Sequence, residues 1–195
     1  MNTTLNKIKE HSPCSDGWKK LLANLGKSKA DDETLSLMSI LKSNGIEDAI
    51  WALKCFDYLD YCLFLADIAE SVLHIYEKKN ESKAPREAIQ AIRDYKAGKI
   101  SRVELTDAAN AANTAAYTVN TDAAYSAYSS AYAAAYAAYA SANAAADATY
   151  DVAYAAYDTA YTNAAAADAN AAREEKWTEI EQLFIKRFGR GVNKE

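Results

Sequence analysis

Most apolar residues in this chain recur every three or four positions, which is the spacing of one face of an α-helix. The pattern predicts a first helix over residues 15–25, capped by Ser15 or Asp16. It predicts a second helix that runs from the acidic residues 31–33 to Lys42. The chain is therefore expected to begin with short amphipathic helices.

Residues 47–79 carry the densest apolar pattern of the first half and contain no Gly or Pro, which does not fit a strand-and-turn pattern. We predict two helices here, separated by a break near residues 57–61, and expect them to form the core of the first half. Pro85 then occupies the first turn of another predicted helix, residues 85–97, which Gly98 ends.

A capping box follows at Ser101-Arg-Val-Glu104, where the hydroxyl and the carboxylate can each bind a free amide at a helix start. Beyond it, residues 108–172 form what we call the alanine–tyrosine tract. These 65 residues include 32 alanines and 10 tyrosines, and no Gly, Pro, Lys, Arg, Leu or Ile. Because alanine has the highest intrinsic helix propensity, the composition predicts helix throughout this tract.

The tyrosines keep helical spacing, which argues against a disordered low-complexity segment. Two clusters step by three and four residues, namely Tyr125, Tyr128, Tyr132, Tyr136 and Tyr139, and then Tyr150, Tyr154, Tyr157 and Tyr161. Tyr117, Tyr128, Tyr139, Tyr150 and Tyr161 also recur every 11 residues, a period that keeps a stripe nearly in line. A single helix over the tract would be about 100 Å long, so we predict two or three antiparallel segments with breaks near residues 120–122, 143–147 and 163.

The last predicted helix runs from Arg173 to about Phe188, with an apolar face that is expected to fold back onto the first half. The predicted fold is an all-α helical bundle, with a compact N-terminal helical half (residues 1–100) and long Ala/Tyr-rich antiparallel helices. The array of residues 101–188 is expected to pack with the first half as one unit, followed by a tail at residues 189–195.

The formal net charge of −5 argues against a nucleic-acid or anionic-membrane partner, since both need clustered Lys and Arg. Residues 1–100 carry 15 basic and 15 acidic side chains, whereas residues 101–195 carry 7 and 12, so the excess acid lies in the second half. Neither a signal peptide nor a membrane span is predicted. The three cysteines do not suggest a disulfide framework, and a reducing cytoplasm is the expected compartment.

Residues with catalytic or metal-binding chemistry are sparse. The two histidines, His11 and His74, lack metal-ligand spacing, and no nucleophile elbow or phosphate-binding glycine loop is present. Cys55 and Cys62 are seven residues apart and could share a helix face, either as metal ligands or as buried thiols. Two acidic groups, Asp67 with Glu70 and Asp147 with Asp151 and Asp158, could bind a metal or perform acid–base chemistry, or form the solvated side of a helix. We expect no cofactor and no bound metal.

The tyrosine face is the strongest candidate for function, since tyrosine is enriched at protein interfaces. The candidate partner-binding residues are Tyr125, Tyr128, Tyr132, Tyr136, Tyr139, Tyr150, Tyr154, Tyr157, Asp147, Asp151 and Asp158. The rings could equally be internal packing between alanine helices. An exposed acidic and aromatic surface would suit a basic protein, mimic a nucleic acid or hold a small ligand, and the same face could pair with a second copy of the chain.

Two further segments carry a recognisable pattern, namely Leu65-Ala-Asp-Ile-Ala-Glu-Ser-Val-Leu-His-Ile-Tyr-Glu-Lys-Lys79 and Ala84-Pro-Arg-Glu-Ala-Ile-Gln-Ala-Ile-Arg-Asp-Tyr-Lys-Ala-Gly98. Both resemble a family of bacterial and phage proteins known as immunity proteins of polymorphic toxin systems. The resemblance extends over residues 45–188. The chain departs from it in carrying Tyr and Asp where many members carry Trp and Arg, and in Gln90, where an acidic residue is more common.

The resemblance implies a noncatalytic inhibitor that binds a toxin, and it supplies no catalytic residues. Family members in phages imply a second role, which is to block a host defence protein or to sequester a defence signal. The leading hypothesis is therefore an immunity-type or phage anti-defence inhibitor that acts by direct contact with a protein. The alternatives are a sponge that holds a nucleotide-like signal among tyrosines, and a metal-dependent helical enzyme that uses the Asp and Glu clusters.

Overall fold

The computed structural model describes residues 1–78, 80–118, 132–138, 152–156, 159 and 169–189. Its helices are α1 (Leu5–Glu10), α2 (Ser15–Asn24), α3 (Leu37–Asn44), α4 (Ile46–Trp51), a 3₁₀ helix (Ala52–Cys55), α5 (Tyr58–Glu77), α6 (Ala84–Lys96), α7 (Arg102–Thr118) and α8 (Ala169–Phe188). Residues 132–138 and 152–156 of the alanine–tyrosine tract are helical as well. The predicted all-α class is confirmed.

A small two-stranded sheet, which the sequence pattern did not predict, joins the chain start to the loop before α3. Strand β1 (Asn2–Thr3) pairs antiparallel with strand β2 (Leu35–Ser36), and Asn2 lies opposite Ser36. Its strands have only two residues each, too short for the alternation of apolar and polar residues that indicates a strand. The sheet fixes the chain start beside α3.

The predicted start of the second helix at residues 31–33 is wrong. Helix α3 begins at Leu37, and its cap is Ser36, whose hydroxyl accepts a hydrogen bond from the Ser39 amide at 3.0 Å. The acidic residues serve a different purpose, because the Lys27 ammonium binds Asp31 at 2.6 Å and Glu33 at 2.5 Å. The segment before β2 is thus a loop stabilised by ion pairs and not the start of a helix.

Two details of the cysteine-containing helices also differ from expectation. The cap of α2 is Cys14, whose sulfur accepts a hydrogen bond from the Gly17 amide at 3.3 Å, and not Ser15 or Asp16. Cys55 ends the 3₁₀ helix, whereas Cys62 lies on α5 after the break at residues 56–57. The two cysteines therefore do not share a helix face, although the predicted break between two helices exists.

Helices α6 and α7 form a hairpin joined by residues 97–101, and the end of α6 and the start of α7 lie where the local sequence predicts them. Gly98 adopts a positive φ of 70°, which ends α6. The capping box is present in full, because the Ser101 amide donates to Glu104 Oε2 at 2.7 Å and the Glu104 amide donates to Ser101 Oγ at 3.2 Å. Local chemistry alone therefore sets both boundaries of this turn.

Helix α8 folds back onto the first half, as predicted, and residues 169–172, which precede the predicted start, are helical as well. Phe184 is fully buried and packs edge-on against Phe64 of α5, with ring centroids 5.5 Å apart. The ring centroid of Phe188 lies 4.7 Å from that of Phe184 and 5.5 Å from that of Phe64. The three rings form the aromatic contact through which α8 holds α5.

Among the described residues of the alanine–tyrosine tract, the buried positions are occupied by small side chains, whereas Tyr117 and Tyr154 are exposed. Fully buried small residues there include Ala133, Ala134, Ala137, Ala138, Val152, Ala153, Ala156 and Thr159. Small side chains of this kind let helix axes approach to the short end of the usual 8–10 Å range. The predicted breaks near 120–122, 143–147 and 163, and residues 190–195 of the predicted tail, lie outside the described residues. The division of the chain at residue 100 stays a prediction.

Candidate partner-binding surface

Helix α7 presents two different sides. Its buried side consists of small residues and one leucine, because Leu105, Ala109, Ala112, Ala115 and Ala116 pack inward. The other side carries polar and aromatic groups, and Asn110, Asn113 and Tyr117 follow one another at spacings of three and four residues. Such spacing places the three side chains next to each other on the helix surface.

Two rings of the alanine–tyrosine tract lie beside this side of α7. Tyr132 and Tyr136 are half-buried, and their rings stack with centroids 5.4 Å apart and an interplanar angle of 18°. The alanines between and after them, at 133–135 and 137–138, are buried, which anchors this helical turn in the core. Tyr132 also packs against the small buried cluster of Tyr76, Ala115 and Ala116. The rings are therefore held by packing and leave part of their surface accessible.

Between these elements lies an open groove of about 230 Å³, which we call the tyrosine–asparagine groove. It is lined by Ala109, Asn110, Asn113, Tyr117, Tyr132, Ala135 and Tyr136. Tyr117 at its edge is 58% exposed. The groove thus combines aromatic rings with two side-chain amides, each of which can donate and accept hydrogen bonds.

The structure brings together only part of the predicted tyrosine face. Tyr132 and Tyr136 line the groove, but Tyr154 does not. Tyr154 is 40% exposed and contacts Trp177 of α8 edge-on, with ring centroids 6.2 Å apart. The other candidates lie outside the described residues, namely Tyr125, Tyr128, Tyr139, Tyr150, Tyr157, Asp147, Asp151 and Asp158.

Three groove residues, Asn110, Asn113 and Tyr117, were not among the predicted site residues. A signal for them was present in the sequence, since they share one face of the helix that the capping box at Ser101 and Glu104 starts. Tyr117 also belongs to the 11-residue recurrence. What the sequence did not reveal is that this face meets the turn that carries Tyr132 and Tyr136.

The alternative sites in the first half are occupied by structural contacts. Asp67 forms ion pairs with Arg187 and, at 3.7 Å, with Arg93, and Glu70 binds Arg93 at 2.5 Å.

Burial raises the pKa of the Cys55 and Cys62 thiols, which keeps both in the unreactive protonated form. His11 and His74 are exposed. Among the described residues, no three His, Cys, Asp or Glu side chains come close enough to hold a metal ion.

Comparison with known families adds to this picture. The model of a family described as Imm-5 like putative immunity protein matches residues 60–183. The chain belongs to this family. The match spans α5, α6, α7, the groove and most of α8, and it leaves the first 59 residues outside. The resemblance predicted from the two segments of α5 and α6 is thereby confirmed.

Neither the comparison with curated proteins nor that with solved structures finds a match. No helix within the described part of the chain combines the length and the apolar character that crossing a membrane requires.

Proposed function

We propose that this immunity-family protein is a noncatalytic inhibitor that neutralises a toxin or a host defence effector by direct contact through the tyrosine–asparagine groove. Membership in a family of immunity proteins supports a protein partner. The observation that carries the choice of site is the groove itself, where exposed and half-buried tyrosines surround two side-chain amides. Tyrosine offers a large contact area at a small entropy cost, which suits the centre of an interface.

The exposed side of α7 extends this site along the helix. Val103 is 68% exposed and Tyr117 is 58% exposed, and Asn110 lies midway between them at seven-residue spacing. Residues seven apart lie close to one line on a helix surface. A partner that inserts a side chain into the groove would therefore also cover this line of α7, so that the interface would extend along the helix axis.

The dimensions and charge of the groove favour a protein over a nucleotide. Pockets that enclose small molecules usually measure about 300–1,000 Å³, whereas this groove measures about 230 Å³ and is open. Its described lining residues include no Lys or Arg, so a phosphate group would meet no opposite charge there. A nucleotide-storing role therefore receives less support than protein binding.

The experiment compares a groove variant with a matched surface variant. Asn110→Lys places a long cationic side chain at the groove, and Asn24→Lys makes the same change at an exposed asparagine of α2. Proteins retained from a bacterial lysate by the wild-type chain and by Asn24→Lys, but lost from Asn110→Lys, are identified by mass spectrometry. Each is then purified and titrated with the wild-type chain. We expect its toxic or effector activity to fall to zero at equimolar inhibitor, with and without EDTA.

Two results would contradict the proposal. If Asn110→Lys retains and inhibits the partner as well as the wild type does, the groove is not the contact surface. If inhibition disappears on chelation, or if one molecule of the chain inactivates many partner molecules, the chain acts as a metal-dependent enzyme. Nucleotide released from the denatured pure protein would instead support the storage role.

A further inference from the structure

We propose that the tyrosine–asparagine groove is a receptor for a guanidinium group, so that the proposed partner inserts an arginine side chain there. This inference rests on the proposed function and specifies the chemistry of the group that the same site binds. It follows from the ring faces, the amide oxygens, the charge around the groove and its size.

The aromatic rings provide the first argument. The rings of Tyr132 and Tyr136 stack nearly parallel with centroids 5.4 Å apart, and Tyr117 of α7 lines the same groove. A tyrosine face carries partial negative charge and attracts a cation within about 6 Å of its centroid. Among biological cations, guanidinium is planar and weakly hydrated, so it stacks on aromatic faces more readily than an ammonium group does.

The hydrogen-bonding groups provide the second argument. Guanidinium has five donors and no acceptor, so its site must supply acceptors. Asn110 and Asn113 each carry an amide oxygen, and they lie three residues apart on the side of α7 that borders the groove. The phenol oxygens of the lining tyrosines can accept hydrogen bonds as well. Aromatic rings and amide oxygens thus line the same groove.

Charge and size provide the third argument. The described lining contains no Lys or Arg, and Asp107 lies exposed one turn before Asn110 on the same helix. The whole chain carries a formal net charge of −5, so a cation approaches a surface of opposite sign. The volume of about 230 Å³ suits one long side chain better than a drug-sized molecule. Arginine is also among the residues most enriched at interface hot spots.

The test uses small probes, because the partner is not needed to measure the preference of the groove. N-acetyl-arginine methylamide, its citrulline counterpart and its lysine counterpart are titrated into isotope-labelled protein and followed by NMR. We expect the arginine probe to bind at about millimolar concentration and to shift the side-chain amide signals of Asn110 and Asn113. The citrulline probe, which has the same shape without the charge, should bind at least about fivefold more weakly, and the lysine probe should bind more weakly than arginine.

Variants separate the contributions of charge and ring. Asn110→Lys should abolish binding of the arginine probe, whereas Asn24→Lys, which has the same net charge, should leave it unchanged. Tyr136→Phe keeps the ring and should retain binding, and Tyr136→Leu should lose it. Far-ultraviolet circular dichroism of each variant verifies that the helices are intact, and a misfolded Tyr136→Leu leaves the two asparagine variants to decide.

The outcomes distinguish this inference from the proposed function. Equal binding of the arginine and citrulline probes, or the absence of binding by every probe, overturns the guanidinium receptor. The inhibitor proposal then still stands if Asn110→Lys loses the protein partner in the retention experiment. Displacement of the arginine probe by AMP also overturns the inference, because it shows that the groove prefers a nucleotide.

Discussion

The buried side chains of the first hundred residues are much larger than those of the alanine–tyrosine tract. In the first half, the fully buried positions include Phe64, Leu65, Ile68 and Leu73 of α5. In the described tract, they are almost all alanines, such as those at 133–138. Burying a leucine or isoleucine side chain contributes about 1.5–3 kcal/mol, against about 0.8 kcal/mol for one methyl-sized group.

This difference predicts opposite sensitivities. The first half gains its stability from large apolar contacts, so it should suffer most when a side chain is made smaller. The tract gains little from each alanine and depends on close approach of its helices, so it should suffer most when a side chain is made larger. The tract also carries tyrosine rings at the surface around the groove, where they are accessible to a partner. Substitutions in each region can test the contrast.

The largest effect is expected from Phe184→Ala in α8, because this ring packs against Phe64 in the core of the first half. The ring is fully buried and contacts both Phe64 and Phe188, so its removal leaves a cavity between α8 and α5. Truncations of this kind cost about 3–5 kcal/mol. Urea unfolding followed by circular dichroism measures the loss. Leu183→Ala serves as control, because Leu183 is half-buried on the same helix and should cost clearly less. Equal losses would show that α8 is not held by its aromatic face.

The second largest effect is expected when a buried alanine of the tract is replaced by a larger residue. Ala137 is fully buried, and Ala137→Leu should destabilise the protein by about 1–3 kcal/mol because the surrounding helices must move apart. Ala111→Leu makes the same change on the exposed side of α7, where unfolding in urea should show almost no difference. If Ala137→Leu stabilises the protein, the tract is loosely packed and the contrast between the two regions is wrong.

A smaller effect is expected from the ion pairs that tie α8 and α6 to α5. Asp67 is mostly buried, with 18% of its side chain exposed, and it serves both Arg93 and Arg187. Asp67→Asn should cost about 1 kcal/mol at low salt, which is the upper range for partly exposed pairs. The cost should shrink at 1 M salt, where the screening length falls to about 3 Å. Glu70→Gln is the control, since Glu70 is 44% exposed and pairs with Arg93. A cost that does not change with salt would indicate packing instead of charge.

The helix boundaries that the sequence predicted correctly are those set by neighbours along the chain. Pro85, Gly98 and the Ser101–Glu104 box determine the α6–α7 hairpin through contacts within four residues. The pairing of Asn2 with Ser36 depends on a contact across more than thirty residues, which no local pattern encodes. The error at residues 31–33 has a different cause, because acidic side chains suit a helix cap and a local ion pair with Lys27 equally well.

The residues of the candidate site also divide into those that local spacing predicts and those that depend on tertiary packing. Tyr132 and Tyr136 were predicted from their helical spacing, and the structure places both in the groove. Asn110 and Asn113 were missed because an asparagine on a helix surface becomes part of a site only through the element packed beside it. Tyr154 has similar spacing to the others and yet contacts Trp177. Spacing identifies a face, and tertiary packing decides which faces meet.

The smallest predicted effect concerns the cap that starts α7, the helix on which the groove is built. The Ser101 backbone amide and hydroxyl lower the pKa of the Glu104 carboxyl. A carboxyl with a lowered folded-state pKa stabilises the fold above its unfolded pKa of about 4.3, and that stabilisation is lost as the pH falls through the lower folded value.

Glu104→Gln therefore tests whether charge at this cap matters beyond its hydrogen bond, since glutamine can form a capping box too. At pH 7 the variant should melt about 1–3 °C below the wild type, because it loses the favourable charge at the helix start. Near pH 3 the two melting temperatures should converge. Glu175→Gln, an exposed glutamate within α8, is the control and should show no such convergence. A difference that persists undiminished at low pH would mean that the cap of α7 depends on the geometry of the side chain and not on its charge.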